Sequence, residues 1–244
     1  MPHSYKEGDV LPLYLNIHGG GFALADPSFD DKFCWNFCND YKLLVVSLDY
    51  PKAPQNPYPA AVNQLIELVG CVLEDKELPI DHAKVAVGGF SAGGNLALAI
   101  CQDPSLRSKI GGIIPVYPVV NFVTPTSESL ATRPKDAPPD MLKNMASMFN
   151  WGYIRPGQDL KDPRLSVYYA KKEDLPKKIY VIGCEFDMLC RSAEKFAAKV
   201  AGRDWTGTET EWEMGGYKWE KILGMEHGML PSILFLALDV NREW

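Results

Sequence analysis

No run of roughly 18 apolar residues, the length a bilayer-crossing helix needs, occurs in the chain, and Lys6, Glu7 and Asp9 stand where a secretory signal would hold an uninterrupted apolar core. These absences exclude a helical membrane span and predict a soluble protein. Positive charge is also scarce: 25 Lys and Arg face 31 Asp and Glu, for a formal net charge of -6. The Lys171-Lys172 and Lys177-Lys178 pairs are short and isolated, so there is no basic stripe for a phosphate backbone, and nucleic acid is not an expected partner. No Asn-x-Ser/Thr acceptor is present. The six cysteines are scattered through apolar surroundings rather than spaced as a disulfide framework, which predicts a reducing, cytoplasmic setting. Cys34 and Cys38 lack the second cysteine pair or nearby histidine that would complete a metal ligand set, so buried packing and no metal are expected.

What is present is enough apolar material for one sizeable core. With 244 residues, 46% of them hydrophobic and 23% charged, the chain is expected to form a single domain over residues 1–244. Near-continuous apolar runs at Leu11 to Ile17, Leu43 to Tyr50, Lys84 to Phe90, Ile110 to Tyr117 and Lys178 to Cys184 have the composition of strands covered on both faces, hence of a parallel sheet. Helical spacing runs over Pro59 to Leu73, Ala92 to Gln102, Met141 to Trp151 and Arg191 to Ala201, followed by an apolar terminal segment from Met229 to Val240. This alternation predicts a doubly wound α/β layer structure with a mostly parallel sheet and helices on both faces. The Pro-rich, polar region Thr124 to Asp140 is expected to be an excursion beside the site.

Two glycine-rich turns carry the chemistry. Gly89-Phe90-Ser91-Ala92-Gly93 fits G-x-S-x-G between a predicted strand and a predicted helix, where Gly89 and Gly93 leave room for a sharp turn under the serine. The helix that follows would aim its N-terminal N–H groups at charge developing near Ser91. Alone, the string equally describes an ordinary Gly-rich strand-to-helix turn. His18-Gly19-Gly20-Gly21-Phe22 changes that balance, because consecutive glycines after a strand let N–H groups converge on one point as an oxyanion hole requires. The expected donors are Gly20, Gly21 and Ala92.

A serine hydroxyl needs a base, and a base needs an orienting carboxylate. Only four histidines are available. His3 is expected to fray with the terminus, His18 belongs to the glycine turn, and His82 precedes a strand at the end away from the site. His227, in Gly224-Met225-Glu226-His227-Gly228, remains. Asp187 lies just past the strand that ends at Cys184, at the sheet edge where α/β folds place their sites, with Glu185 as its rival. The order Ser, Asp, His is the order of the α/β-hydrolase architecture.

The motifs together resemble the hormone-sensitive-lipase-like family of α/β-hydrolases, whose signatures HGGG and G-x-S-A-G-G stand here as His18-Gly19-Gly20-Gly21 and Gly89-Phe90-Ser91-Ala92-Gly93-Gly94. Asp49-Tyr50-Pro51, Pro59-Ala60-Ala61 and Asp162-Pro163-Arg164-Leu165-Ser166 also resemble the family, so the likeness covers nearly the whole chain. It implies a serine carboxylesterase acting on short to medium acyl esters through Ser91, Asp187 and His227, with no cofactor. Phe90 departs from the Asp or Thr common before the nucleophile, which is expected to alter packing and not chemistry. Cys190 departs from a frequent acidic residue. Met1-Pro2 resembles an interior point of the family pattern, which implies a truncated, shortened or naturally cap-less form in which the N-terminal cap and two leading strands are expected to be absent. That predicts pockets open to water, weaker electrostatic catalysis and an exposed sheet edge favouring self-association. Two other activities are compatible with the fold: a small-molecule receptor of the kind that lacks the histidine, against which His227 argues, and an amidase or arylformamidase with the same machinery.

Overall fold

The computed structural model describes residues 1–229, and the apolar segment expected from Met229 to Val240 falls, beyond its first residue, outside them. Among the described residues, seven strands form one sheet: β1 (Leu11–Ile17), β2 (Leu44–Leu48), β3 (Ile80–Phe90), β4 (Gly112–Val116), β5 (Lys178–Cys184), β6 (Glu211–Met214) and β7 (Tyr217–Ile222). Their order is β2-β1-β3-β4-β5-β7-β6, parallel throughout except for the β6/β7 pair. The helices are α1 (Asp31–Tyr41), α2 (Ala60–Glu74), α3 (Ala92–Ile100), α4 (Pro104–Arg107), α5 (Thr126–Ala131), α6 (Ala146–Tyr153) and α7 (Cys190–Ala201). No helix among the described residues is long and apolar enough to cross a membrane.

Each face of the sheet is covered because its strands are apolar on both sides. Leu13, Leu15 and Ile17 of β1 pack with Leu65 of α2, Leu96 of α3 and Phe196 of α7. On the other face Tyr14, Phe90, Tyr180 and Ile182 pack with Phe33 and Phe37 of α1. The buried positions Ala193, Phe196, Ala197 and Val200 of α7 follow the i, i+3, i+4, i+7 spacing of a one-sided helix, which ends at Gly202 with φ 77°. The edge strand β2 leaves Val45, Val46 and Ser47 half-buried.

Register decides where the strand ends fall. Ile17 pairs with Gly89, Phe90 with Val116, Val116 with Ile182, and Cys184 with Ile222. The C-terminal ends of β1, β3, β4, β5 and β7 are thereby level, and the loops that leave them meet at one edge.

Several elements differ from the sequence expectation. The helix α1 is formed by Phe33, Cys34, Phe37 and Cys38, whose spacing buries one face, so the two cysteines are core residues as expected. Five cysteines are buried and all six are free, but Cys71 is exposed, contrary to a uniformly apolar setting. The hairpin β6/β7 was not anticipated, because EWEM and YKWEKI alternate charged with apolar residues and never form a continuous apolar run. Its two-residue turn, Gly215 (φ 58°) and Gly216 (φ 88°), has the two positive φ angles that a twist-matched hairpin demands. The helix expected from Met141 begins at Ala146, since Asp140 Oδ1 accepts the Leu142 N–H at 2.7 Å and holds the preceding residues in turns. His82 lies within β3 rather than before it, and it is exposed. His3 is not frayed: its N–H donates to Asn39 Oδ1 at 2.8 Å and its ring meets Trp35 edge-on at 4.7 Å.

One buried acid has a pH consequence. Asp30, 1% exposed, accepts from Asn16 Nδ2 at 2.9 Å, while Asp30 Oδ1 and Asn16 Oδ1 have no hydrogen-bond partner. Burial, partly offset by the Asn16 bond, pushes the Asp30 carboxyl up to about 6. A raised native value means that the folded state holds this proton more tightly than the unfolded chain, so the associated stability is full below about pH 4 and is lost as pH rises through 6. Asp30→Asn removes the charge and supplies an amide that can face Asn16 Oδ1. We expect it to stabilise the protein by about 2 kcal/mol at pH 8 and by little at pH 4.5. Thermal unfolding at the two pH values checks this, and a variant less stable than wild type at pH 8 would contradict it.

Candidate active site

Ser91 stands between Phe90, the last residue of β3, and Ala92, the first of α3, with φ 54° and ψ -113°. Residues other than glycine seldom occupy that region, and surrounding contacts must hold them there. Here the Ser91 N–H donates to Val116 O at 2.9 Å, and Ser91 O accepts from Asn95 N–H at 3.2 Å. Asn95 in turn donates through Nδ2 to Val119 O at 2.8 Å and Leu165 O at 2.9 Å. The flanking glycines are required by close approach to β1: a Cβ on Gly89 would lie 2.2 Å from Ile17 O, and one on Gly93 would lie 1.9 Å from the same atom. Phe90 is buried against Phe33 at 5.0 Å and Tyr117 at 5.8 Å, so its departure from the family pattern is absorbed in packing.

The loops after β5 and β7 bring the acid and the imidazole to this serine. His227 Nδ1 lies 2.6 Å from Asp187 Oδ2, and His227 Nε2 lies 2.9 Å from Ser91 Oγ. Asp187 and His227 are both buried, and the Tyr117 ring packs at 4.7 Å from the imidazole. A carboxylate on Nδ1 selects the tautomer that carries the proton there, which leaves Nε2 free to accept from the serine hydroxyl. The rival acid, Glu185, has another partner: its Oε2 accepts the Gly224 N–H at 2.7 Å. With Glu185 N–H to Ile222 O at 3.0 Å and Phe186 N–H to Met225 O at 2.8 Å, it ties the acid loop to the histidine loop.

The glycine turn after β1 closes the third side. His18 is fully buried, with Nδ1 2.7 Å from Gly19 O and Nε2 3.2 Å from Asp49 Oδ1, and its ring stacks on Tyr50 at 4.4 Å. Burial lowers its pKa, against the raising effect of the Gly19 and Asp49 hydrogen bonds. The Tyr50 hydroxyl lies 3.1 Å from both His18 O and Gly19 O. These residues shape the turn rather than react. Gly20 has φ 105°, and a Cβ there would lie 2.2 Å from Leu24 O. The N–H groups of Gly20, Gly21 and Ala92 have no hydrogen-bond acceptor among the described residues. The contacts of Tyr50 and Tyr117 left no signal in sequence spacing, because each joins segments far apart in the chain.

A cavity of about 400 Å3 opens above Ser91 and His227, and Leu24, Met141, Met145, Phe149, Met188 and Leu189 make its wall mainly apolar. Thr124, Thr126 and Ser129 also line it, so the region from Thr124 to Asp140 does lie beside the site, with α5 inside it. A parallel sheet whose level strand ends carry a serine elbow, an acid and a histidine defines an α/β-hydrolase. A family model described as the alpha/beta hydrolase fold matches residues 14–218, and the chain belongs to that family, in its hormone-sensitive-lipase-like branch.

Among curated relatives, the carboxylic ester hydrolase LipN of Mycobacterium tuberculosis is 34% identical over 201 residues, which cover 78% of this chain and 52% of that protein. An esterase of Acinetobacter venetianus is 29% identical over 208 residues, covering 81% of this chain and 64% of the other. Among solved structures, a hyperthermophilic esterase from the archaeon Pyrobaculum calidifontis superposes with a TM-score of 0.77 at 27% identity, over 93% of this chain and 72% of that one. The chain thus spans between 52% and 64% of the length of these two curated relatives.

Proposed function

We propose that this chain is a serine carboxylesterase that hydrolyses esters of short to medium acyl chains through an acyl-enzyme. One observation carries the reading: His227 sits between Ser91 Oγ at 2.9 Å and Asp187 Oδ2 at 2.6 Å, at the floor of an apolar cavity. The relatives LipN, a carboxylic ester hydrolase, and the Acinetobacter venetianus esterase support the same reaction. Ser91 Oγ attacks the ester carbonyl as His227 Nε2 takes its proton, and Asp187 stabilises the imidazolium. The N–H groups of Gly20, Gly21 and Ala92 hold the oxyanion, backed by the N-terminal end of α3. His227 then protonates the departing alcohol. A water, deprotonated by the same imidazole, attacks the acyl-serine and releases the acid.

The apolar wall of the cavity suits a hydrocarbon acyl or alcohol group. Six free cysteines support a reducing, cytoplasmic setting, and the single sheet running through the described residues supports one catalytic domain. The half-buried β2 edge is a place where two copies could associate. No cofactor or metal enters the scheme. The test is turnover of p-nitrophenyl acetate and butyrate beside formyl-kynurenine. Faster ester turnover is expected. Preference for the formamide would make the chain an arylformamidase, and no turnover of any of them would favour a binding protein on this fold.

A further inference from the structure

The segment between β4 and α6 does more than line the cavity. Arg133 Nε donates to Phe186 O at 2.7 Å, its guanidinium also donates to Pro138 O, and Nε lies 3.2 Å from Asp140 Oδ2. Asp140 Oδ2 accepts the Met188 N–H at 2.9 Å. The two side chains are 11% and 1% exposed. Phe186 O belongs to the peptide group just before Asp187, and the Met188 N–H belongs to the one just after it. A single buried ion pair therefore grips both peptide groups that bracket the acid.

We propose that Arg133 and Asp140 are positioning residues that fix the main chain on either side of Asp187 and so set the strength of its hydrogen bond to His227. The inference rests on the esterase reading above and adds a component to that site. A planar guanidinium suits the task because it serves the Phe186 carbonyl, the Pro138 carbonyl and the Asp140 carboxylate from one rigid fork, which the single ammonium of a lysine cannot do. If the clamp is loosened, Asp187 keeps its charge but loses its aim, and displacements near 1 Å in such a chain lower turnover by roughly 100-fold. Around Asp187 also lie the thiols of Cys184 and Cys190, both pushed above the usual thiol range by burial and thus uncharged. Glu185, Glu194, Arg191 and Lys221 face it across a second cavity of about 290 Å3. These groups are unchanged in the variants below, so they do not account for a difference between them.

The experiment compares Arg133→Lys, Arg133→Met and Asp140→Asn with wild type in the full chain. Three readouts are taken: the pH profile of p-nitrophenyl acetate hydrolysis per phosphonate-titrated site, the far-downfield NMR signal of the His227 Nδ1 proton, and thermal unfolding. Loosening should lower kcat about 10- to 100-fold with KM within about twofold. It should also move the acid limb of the kcat/KM profile to lower pH, because the imidazolium loses part of its carboxylate, and shift the Nδ1 signal upfield. Arg133→Lys should lie between wild type and Arg133→Met. Lower thermal stability with an unmoved acid limb, unmoved Nδ1 signal and wild-type kcat per active site would reduce the pair to a structural tie and overturn the proposal. Should Asp140→Asn or Arg133→Met fail to fold, Arg133→Lys decides by the same criteria. If wild type itself hydrolyses no ester, the esterase reading falls, whereas the Nδ1 signal still decides the clamp: a shift in Arg133→Lys sustains it and an unchanged signal sinks it.

Discussion

Ser91→Ala is expected to abolish ester hydrolysis, lowering kcat by at least about 10,000-fold, while leaving the fold in place. The size of the loss follows from the geometry. Ser91 Oγ lies 2.9 Å from His227 Nε2, placed to form the acyl bond, and without it the imidazole is left to activate water. Residual catalysis would come from the unchanged amides of Gly20, Gly21 and Ala92. The backbone at residue 91 remains strained whichever side chain it carries, because φ 54° is imposed by the Val116 and Asn95 hydrogen bonds and the β3-to-α3 turn. Stability should therefore stay within about 0.5 kcal/mol of wild type. Steady-state hydrolysis of p-nitrophenyl acetate, circular dichroism and thermal unfolding together make the measurement. Retained turnover in this variant would remove Ser91 from the mechanism and with it the function proposed for the site.

The second large effect is on folding. In Gly93→Ala the new Cβ would sit 1.9 Å from Ile17 O and 2.6 Å from His18 O, both backbone atoms of β1 and the turn that leaves it. No side-chain rotation relieves a clash with main chain, so α3 must move off β1 and carry Ala92 away from Gly20 and Gly21. A loss of about 3 kcal/mol or more is expected, read as a fall of roughly 6–12 °C in Tm for a chain of this size. Gly70→Ala provides the contrast. A Cβ at Gly70, inside α2, meets nothing within 4 Å, so the same chemical change should stabilise the protein by about 0.5–1 kcal/mol through helix propensity. Equal melting temperatures for the two variants would show that close approach at the elbow is not what requires glycine at residue 93.

Much of this site can be read without coordinates, and the parts that can share a physical character. The serine elbow and the glycine turn are local: each needs small residues at fixed offsets from a strand end, so its requirement is written into a few neighbouring positions. His227 emerges by elimination because histidines are few. The strands β1 to β5 announce themselves because burial on both faces demands unbroken apolar runs. The hairpin that delivers His227 does not, since β6 and β7 each keep charged residues such as Glu213 and Lys218 among their apolar ones. The helix α1 is hidden for a related reason, its buried face being made of cysteines and phenylalanines mixed with charge and amide groups.

By itself, then, the sequence determined the chemistry available to this protein: one activated hydroxyl, converging amides and a parallel sheet to present them. The sequence already favoured Asp187 over Glu185, and the tertiary structure added that Asp187 faces the imidazole while Glu185 holds its loop. Asp187 and Glu185 lie in one short connection, yet once β5 and β7 are in register their carboxylates reach different partners, His227 Nδ1 and the Gly224 N–H. It alone joined Arg133 to Phe186, 53 residues away, and Asp140 to Met188, 48 away. Contacts across such separations depend on how strands align and pack, a property of the whole sheet that no local pattern of residues encodes.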